Sequence, residues 1–228
     1  MKKSITYILC ISSFLFHSCS SEKKEETLDW KVYKNAKANG DYISCISALN
    51  RIMARDEYNM GVYDSLARVY YQAQLFVPAY QVAQKALQQS NNDDLVLIAA
   101  ESSERIGKTP ESIDYYLQWL QNHPNEINIS YKVATAYFNI KNIPAAKGEL
   151  AKIIKNPKAK EIGLNFNTDN VAQTISYYAA ALNVLGFIQM QEKDFIKAEI
   201  AFLEALKVHP NFVLAKNNYA ALKQQLKK

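Results

Sequence analysis

Small or apolar residues recur along this chain about every 34 residues, and that spacing limits the possible folds more than any other feature. Ala67, Ala100 and Ala134 form one series, with Tyr33 before them. Ala79, Ser112 and Ala146 form a second, preceded by Cys45, and Ile52, Ala86, Trp119 and Ile153 form a third. Successive members lie 34, 33 and 34 residues apart, and 52 residues further on the series resume at Gly186, Ala198 and Ala205. Self-similarity at this period marks a stack of repeats rather than a single closed core.

The last unit is the clearest. Leu182, Leu185 and Gly186 open it, Ala198, Phe202 and Ala205 follow at A-x3-F-x2-A spacing, and Pro210 closes it, so that it resembles the tetratricopeptide repeat. Gln189 stands where that family usually has Tyr. Leu66, Ala67, Tyr70, Ala79 and Ala86 carry a second unit, Gly107, Ile113, Tyr116 and Pro124 a third, and Val133, Ala134, Tyr137 and Ala146 a fourth. The first is weakest, because Tyr33 fills the small-residue position, although Gly40-Asp41-Tyr42 supplies an inter-helix turn.

The resemblance implies an all-α, right-handed solenoid of antiparallel helix pairs. Small residues sit at the closest helix crossings, and no pair buries its apolar stripe without its neighbour. The expected units are residues 26–59, 60–92, 93–126, 127–158 and 179–212, within a solenoid spanning 29–228. Leu214, Tyr219, Leu222 and Leu226 among Lys, Asn and Gln predict a polar-faced capping helix over 213–228. The step of 52 leaves an insertion at 159–178. There Val171, Ile175, Tyr178, Leu182 and Leu185 continue one helical stripe, which predicts a long helix capped at Thr168, Asp169 or Asn170 after a surface loop carrying Ile162, Leu164 and Phe166. That loop either folds over the binding groove or pads a widened joint, and padding is the expectation.

The amino terminus carries a different message. Lys2-Lys3, an apolar run from Ile5 to Phe16, and Ser18-Cys19 have the layout of a secretory signal over 1–18, too short to span a bilayer of about 20 helical residues. The small residue before Cys19 resembles the lipobox of bacterial lipoproteins, which implies lipidation at Cys19, although Phe16 replaces the usual Leu three positions earlier. A polar tether over 19–28 follows, and its Lys24-Glu25-Glu26 is similar to the export signal of Bacteroidota surface lipoproteins. The expected location is the cell envelope, anchored by lipid at the outer membrane, facing outward or toward the periplasm.

Charge and composition exclude several classes. Removal of Lys2 and Lys3 lowers the formal net charge from +5 to +3, and acids alternate with lysines along the remainder, so no basic block addresses nucleic acid. With Cys10 in the signal and Cys19 lipidated, Cys45 stands alone and no disulfide is expected. His123 and His209 occupy equivalent turns beside Pro124 and Pro210, and no phosphate loop, G-x-S-x-G or H-E-x-x-H occurs. The chain therefore reads as non-enzymatic, with no cofactor and no metal.

A binding surface remains. In tetratricopeptide repeats the first helix of each pair lines a concave groove. The matching positions are Trp30, Lys34 and Lys37, then Asp64, Arg68, Tyr71 and Gln72, then Glu101, Glu104 and Arg105. Units four and five add Tyr131, Thr135, Phe138 and Asn139, then Asn183, Phe187, Met190 and Gln191. Aromatics mixed with amides and both charges suit a protein partner or extended peptide, whose backbone needs hydrogen bonds and whose side chains need apolar pockets. The alternative is a glycan-binding accessory lipoprotein of an outer-membrane uptake system, which exposed Trp or Tyr beside the insertion would favour.

Overall fold

The computed structural model of the chain describes residues 27–57, 59–168 and 171–227. Cys19, the expected signal over 1–18 and the tether up to residue 26 lie outside the described residues. Among the described residues eleven α-helices follow in order: α1 Leu28–Ala38, α2 Tyr42–Arg55, α3 Met60–Gln72, α4 Phe76–Leu87, α5 Asp93–Arg105, α6 Thr109–Asn122, α7 Ile127–Asn139, α8 Ile143–Lys155, α9 Tyr177–Gln191, α10 Phe195–Val208 and α11 Val213–Gln225. The architecture is an all-α solenoid. Helices α1 to α10 associate as consecutive pairs, each second helix except α6 packs firmly on the following first helix, α6 less extensively on α7, and α11 closes the stack against α9 and α10. Odd-numbered helices also approach one another, α3 to α5, α7 to α9 and α9 to α11, and so form the inner wall.

Local chemistry sets the boundaries. Asp41, Asn92, Asn142, Ser176 and Asp194 each cap a helix by accepting a backbone N–H from its first turn. Each pair turns through one left-handed residue, at Gly40, Gln74, Gly107, Lys141 and Lys193, with φ between 59° and 78°. These five positions keep the repeat steps. The small-residue series lie at the crossings as expected: Ala67, Ala79, Ala100, Ala134, Ala146, Ala198 and Ala205 are all fully buried. Gly186 is packed so closely that an added Cβ would stand 2.8 Å from the Phe202 ring.

The insertion differs from expectation. The expected long helix is replaced over 171–176 by a strand, and α9 begins at Tyr177, capped by Ser176. Before it, a short 3-10 turn Pro157–Lys160 leads into an antiparallel hairpin of β1 Gly163–Thr168 and β2 Val171–Ser176. Leu164 faces Ile175 and Phe166 faces Gln173 across the strands, while Asn165 faces Thr174 on the opposite, exposed side, where the Thr174 hydroxyl donates to Asn165 Oδ1 at 2.9 Å. Period-two alternation thus outranked the helical stripe, because Leu164 and Phe166 share a face with Ile175.

The hairpin sits at the joint. Phe166 meets the buried Phe212 edge-on at 6.0 Å, Gln173 Oε1 accepts from Val213 N at 3.1 Å, and Ser176 N donates to His209 Nε2 at 3.0 Å. Leu164 and Ile175 join a core shared with Tyr131, Ile154 and Leu182. The insertion therefore packs into the joint before α9 and α11 as strands, where the sequence predicts a loop followed by a long helix.

Candidate functional site

Two clefts open on the inner wall. The first, of about 330 Å³, lies between α3 and α5 and is lined by Arg68, Tyr71, Gln72, Asp94, Leu97, Ile98 and Glu101. The guanidinium of Arg68 bridges Asp64, one turn back on its own helix at 2.9 Å, and Asp94 on the next repeat at 3.0 Å. The Tyr71 hydroxyl donates to Glu101, and burial together with that carboxylate pushes its pKa up to about 12. Phe76 packs edge-on against Tyr71, and Arg105 covers Phe76 at 5.4 Å.

The polar chain continues into the fourth unit through Lys132. Its ammonium reaches Glu104 at 3.0 Å, Glu101 at 3.3 Å and the Tyr116 hydroxyl at 2.9 Å. Tyr116, buried on α6, donates in turn to Glu104 at 2.5 Å, and burial followed by that carboxylate holds its hydroxyl far above the ordinary tyrosine range. Three successive repeats are therefore joined by charge-assisted hydrogen bonds, which fix the side chains of the groove before any ligand arrives.

The second cleft, of about 250 Å³, is bounded by Thr135, Phe138 and Asn139 of α7, Asn183, Val184 and Phe187 of α9, and Leu214 and Asn218 of α11. Phe138 and Phe187 meet edge-on at 6.0 Å, so these rings both pack and line the wall. Asn218 donates to Asn183 Oδ1 at 2.9 Å. The result is an apolar slot with Asn139 exposed at its edge and Asn218 held by the buried Asn183, a surface able to hold a side chain with amide groups beside it.

Of the expected groove residues, Arg68, Tyr71, Gln72 and Glu101 converge on the first cleft and Phe138, Asn139 and Phe187 on the second. Arg105 stands beside the first. Trp30 lies apart, edge-on to Tyr33 at 5.6 Å against the first core, and Lys34 is exposed on α1. Tyr131 lines neither cleft: its ring is packed on Tyr177 at 5.5 Å under the hairpin joint, where burial pushes its pKa up to about 12.

Sequence reasoning passed over Asp94, Leu97, Ile98, Lys132, Leu214 and Asn218. A usable signal existed for one of them. Tyr71 and Glu101 are 30 apart, Glu101 and Lys132 31 apart, one repeat less about one helical turn, the offset at which successive inner helices meet. The two histidines among the described residues serve the turns: His123 stacks on Trp119 at 4.0 Å and lies 3.2 Å from Asp93, while His209 accepts from Ser176. Among the described residues no group of three His, Cys, Asp or Glu side chains is placed to hold a metal, and no helix is long and apolar enough to cross a membrane.

An all-α solenoid with an inner groove defines a repeat protein, and the fold is that of tetratricopeptide repeat proteins. It is similar to a tetratricopeptide repeat-containing protein of Methanocaldococcus jannaschii, 23% identical over 172 residues covering 75% of this chain. The chain spans 30% of that relative's length. Among solved structures it resembles YrrB, a tetratricopeptide repeat protein with an unusual peptide-binding site, at TM-score 0.65 and 14% identity over 86% of this chain and 93% of YrrB. It also resembles a tetratricopeptide repeat protein of Parabacteroides merdae, at TM-score 0.59 and 15% identity over 88% of this chain and 73% of the other. No family profile matches the chain.

Proposed function

We propose that this protein is a non-enzymatic scaffold of the cell envelope, anchored by lipid at Cys19, that holds an extended peptide segment of a partner protein along its inner wall. The observation that carries the reading is the slot between Phe138, Phe187 and Leu214, with Asn139, Asn183 and Asn218 around it. Apolar walls take a side chain, and amides satisfy the backbone that must stay beside them. The peptide-binding site of YrrB, a structural neighbour, agrees with this use of the fold. A glycan platform finds no support at the insertion, where Phe166 is turned onto Phe212, Tyr177 is buried and Lys160 covers the Tyr178 ring at 4.7 Å.

Panning a random peptide library on the folded protein tests the reading. Peptides retained by the wild type should lose about tenfold or more in affinity for the Phe138→Ala, Phe187→Ala double variant, since central aromatics carry about 2 kcal/mol or more at such interfaces. Equal retention with equal helicity would rule the slot out. For the anchor, Cys19→Ser should release the protein from membranes, and unchanged membrane association would remove lipidation from the proposal.

A further inference from the structure

The outer surface of α10 carries an apolar stripe at Ile196, Ile200 and Leu203, which are 76%, 62% and 46% exposed. Stepping back by the repeat intervals, Ile200 stands where earlier units have Gly148, Asp114, Gln81 and Ser47, and Leu203 where they have Ala151, Leu117, Gln84 and Asn50. Ile196 stands where earlier units have Pro144, Pro110, Val77 and Ile43, the last two also exposed, so its position recurs while the full stripe of three is particular to this unit. Beside it lies a cleft of about 390 Å³, lined by Leu182, Leu185 and Gln189 of α9 and by Lys197, Ile200, Ala201 and Glu204 of α10. Gln189 Oε1 is buried there with no hydrogen-bond partner among the described residues.

Spacing and charge indicate what covers this face. Steps of four and then three residues are those of a coiled-coil seam, with Ile196 and Leu203 at d and Ile200 at a. Lys207 takes the next a position and ends the seam on that side, while on the other the helix itself begins at Phe195, just after the left-handed turn at Lys193. Lys197 and Glu204 take successive e positions, one of each sign. When two such helices run antiparallel with Ile200 against Leu203 of the second copy, their e positions face each other. Lys197 then meets Glu204 of the second copy, and Glu204 meets Lys197 of the second copy. The stem of Lys207 covers Ile196 across the joint.

We propose that α10 pairs antiparallel with α10 of a second copy of this chain, making an isologous dimer through the outer surface and leaving the inner groove free. The contacts Lys197–Asp194 at 2.6 Å and Lys207–Glu204 at 3.9 Å are exposed and exchange partners at little cost when the copies meet. A lipid surface would favour lysines alone around the stripe. Here Glu192, Asp194 and Glu204 neutralise them, which suits a self-complementary partner.

Sedimentation equilibrium of the purified full chain tests this pairing, with circular dichroism confirming that every variant is folded. The wild type should show a monomer–dimer equilibrium, and Ile200→Glu should abolish it. Lys197→Glu and Glu204→Lys should each weaken association about tenfold by placing like charges across the seam, and the two together should restore it. A wild type monomeric at all concentrations would overturn the proposal, as would a dimer indifferent to Ile200→Glu or a double swap without rescue. Binding of a monomer to phosphatidylglycerol vesicles, lost in Ile200→Glu, would assign the stripe to membrane and overturn it equally.

Discussion

Two residues show how local contacts set the behaviour of whole repeats. Gly186 lies at the α9–α10 crossing, where a Cβ would stand 2.8 and 2.9 Å from two atoms of the fully buried Phe202 ring and 3.2 Å from the Ala198 carbonyl. Neither neighbour can retreat. Gly186→Ala should therefore lower stability by about 1 to 3 kcal/mol through overpacking, against the usual helical preference for alanine; a raised melting temperature would show that the crossing yields. Asp29 on α1 accepts from Arg51 at 2.8 Å and pairs with Arg55 at 2.6 Å, both on α2. The Arg51 hydrogen bond, helped by both positive charges, holds its carboxyl below the ordinary 3.8. A depressed folded pKa gives stability that is fully present above 3.8 and is lost as pH falls through the folded value. Wild type should therefore exceed Asp29→Asn in melting temperature at neutral pH and converge with it in strong acid. A gap that stays constant down to low pH would show that the carboxylate's charge is irrelevant.

At the scale of elements, the turns and the insertion mark what the sequence makes legible. Glycine stands at two of the bends, Gly40 and Gly107, yet Gln74, Lys141 and Lys193 adopt the same left-handed backbone without it, because the repeat geometry imposes it. An L-residue held there costs about 1 to 2 kcal/mol relative to glycine, and glycine's freer unfolded chain returns about 0.4 to 1. Lys193→Gly should accordingly stabilise the α9–α10 pair by up to about 1 kcal/mol, as read by denaturant midpoint; destabilisation would mean that the side chain contributes more than the backbone strain takes away. The hairpin was misread for a related reason. Val171, Ile175 and Tyr178 fall at helical spacing, but Asn165 and Thr174 alternate with Leu164, Phe166 and Ile175, and tertiary pairing decided between the two periods. Repeat stacking fixes which helix faces inward, so the sequence could point to inner helices, of which Arg68, Tyr71, Gln72, Glu101, Phe138, Asn139 and Phe187 line the two clefts. Tyr131 does not, since its surroundings depend on the hairpin.

Across the whole molecule, stability passes between neighbours, so the end of the stack matters more than its size suggests. Helix α11 covers Phe202 and Ala198 with Leu222, which is fully buried, and it also lends Leu214 and Asn218 to the second cleft. One helix thus closes the core and completes the groove. Sequence reading assigned it the first role, from its polar face, and missed the second, because a helix that ends a solenoid still occupies the inner-helix place. The two roles separate by mutation. Leu222→Ala removes a buried side chain and should cost about 2 to 5 kcal/mol, unfolding the last repeat before the first in hydrogen exchange. The Leu214→Ala, Asn218→Ala double variant leaves that contact in place. It should keep the melting temperature within a few degrees of wild type while reducing affinity for library-selected peptides about tenfold, a loss of about 1.4 kcal/mol. A double variant that binds as wild type would confine the peptide to α7 and α9 and reduce α11 to a cap.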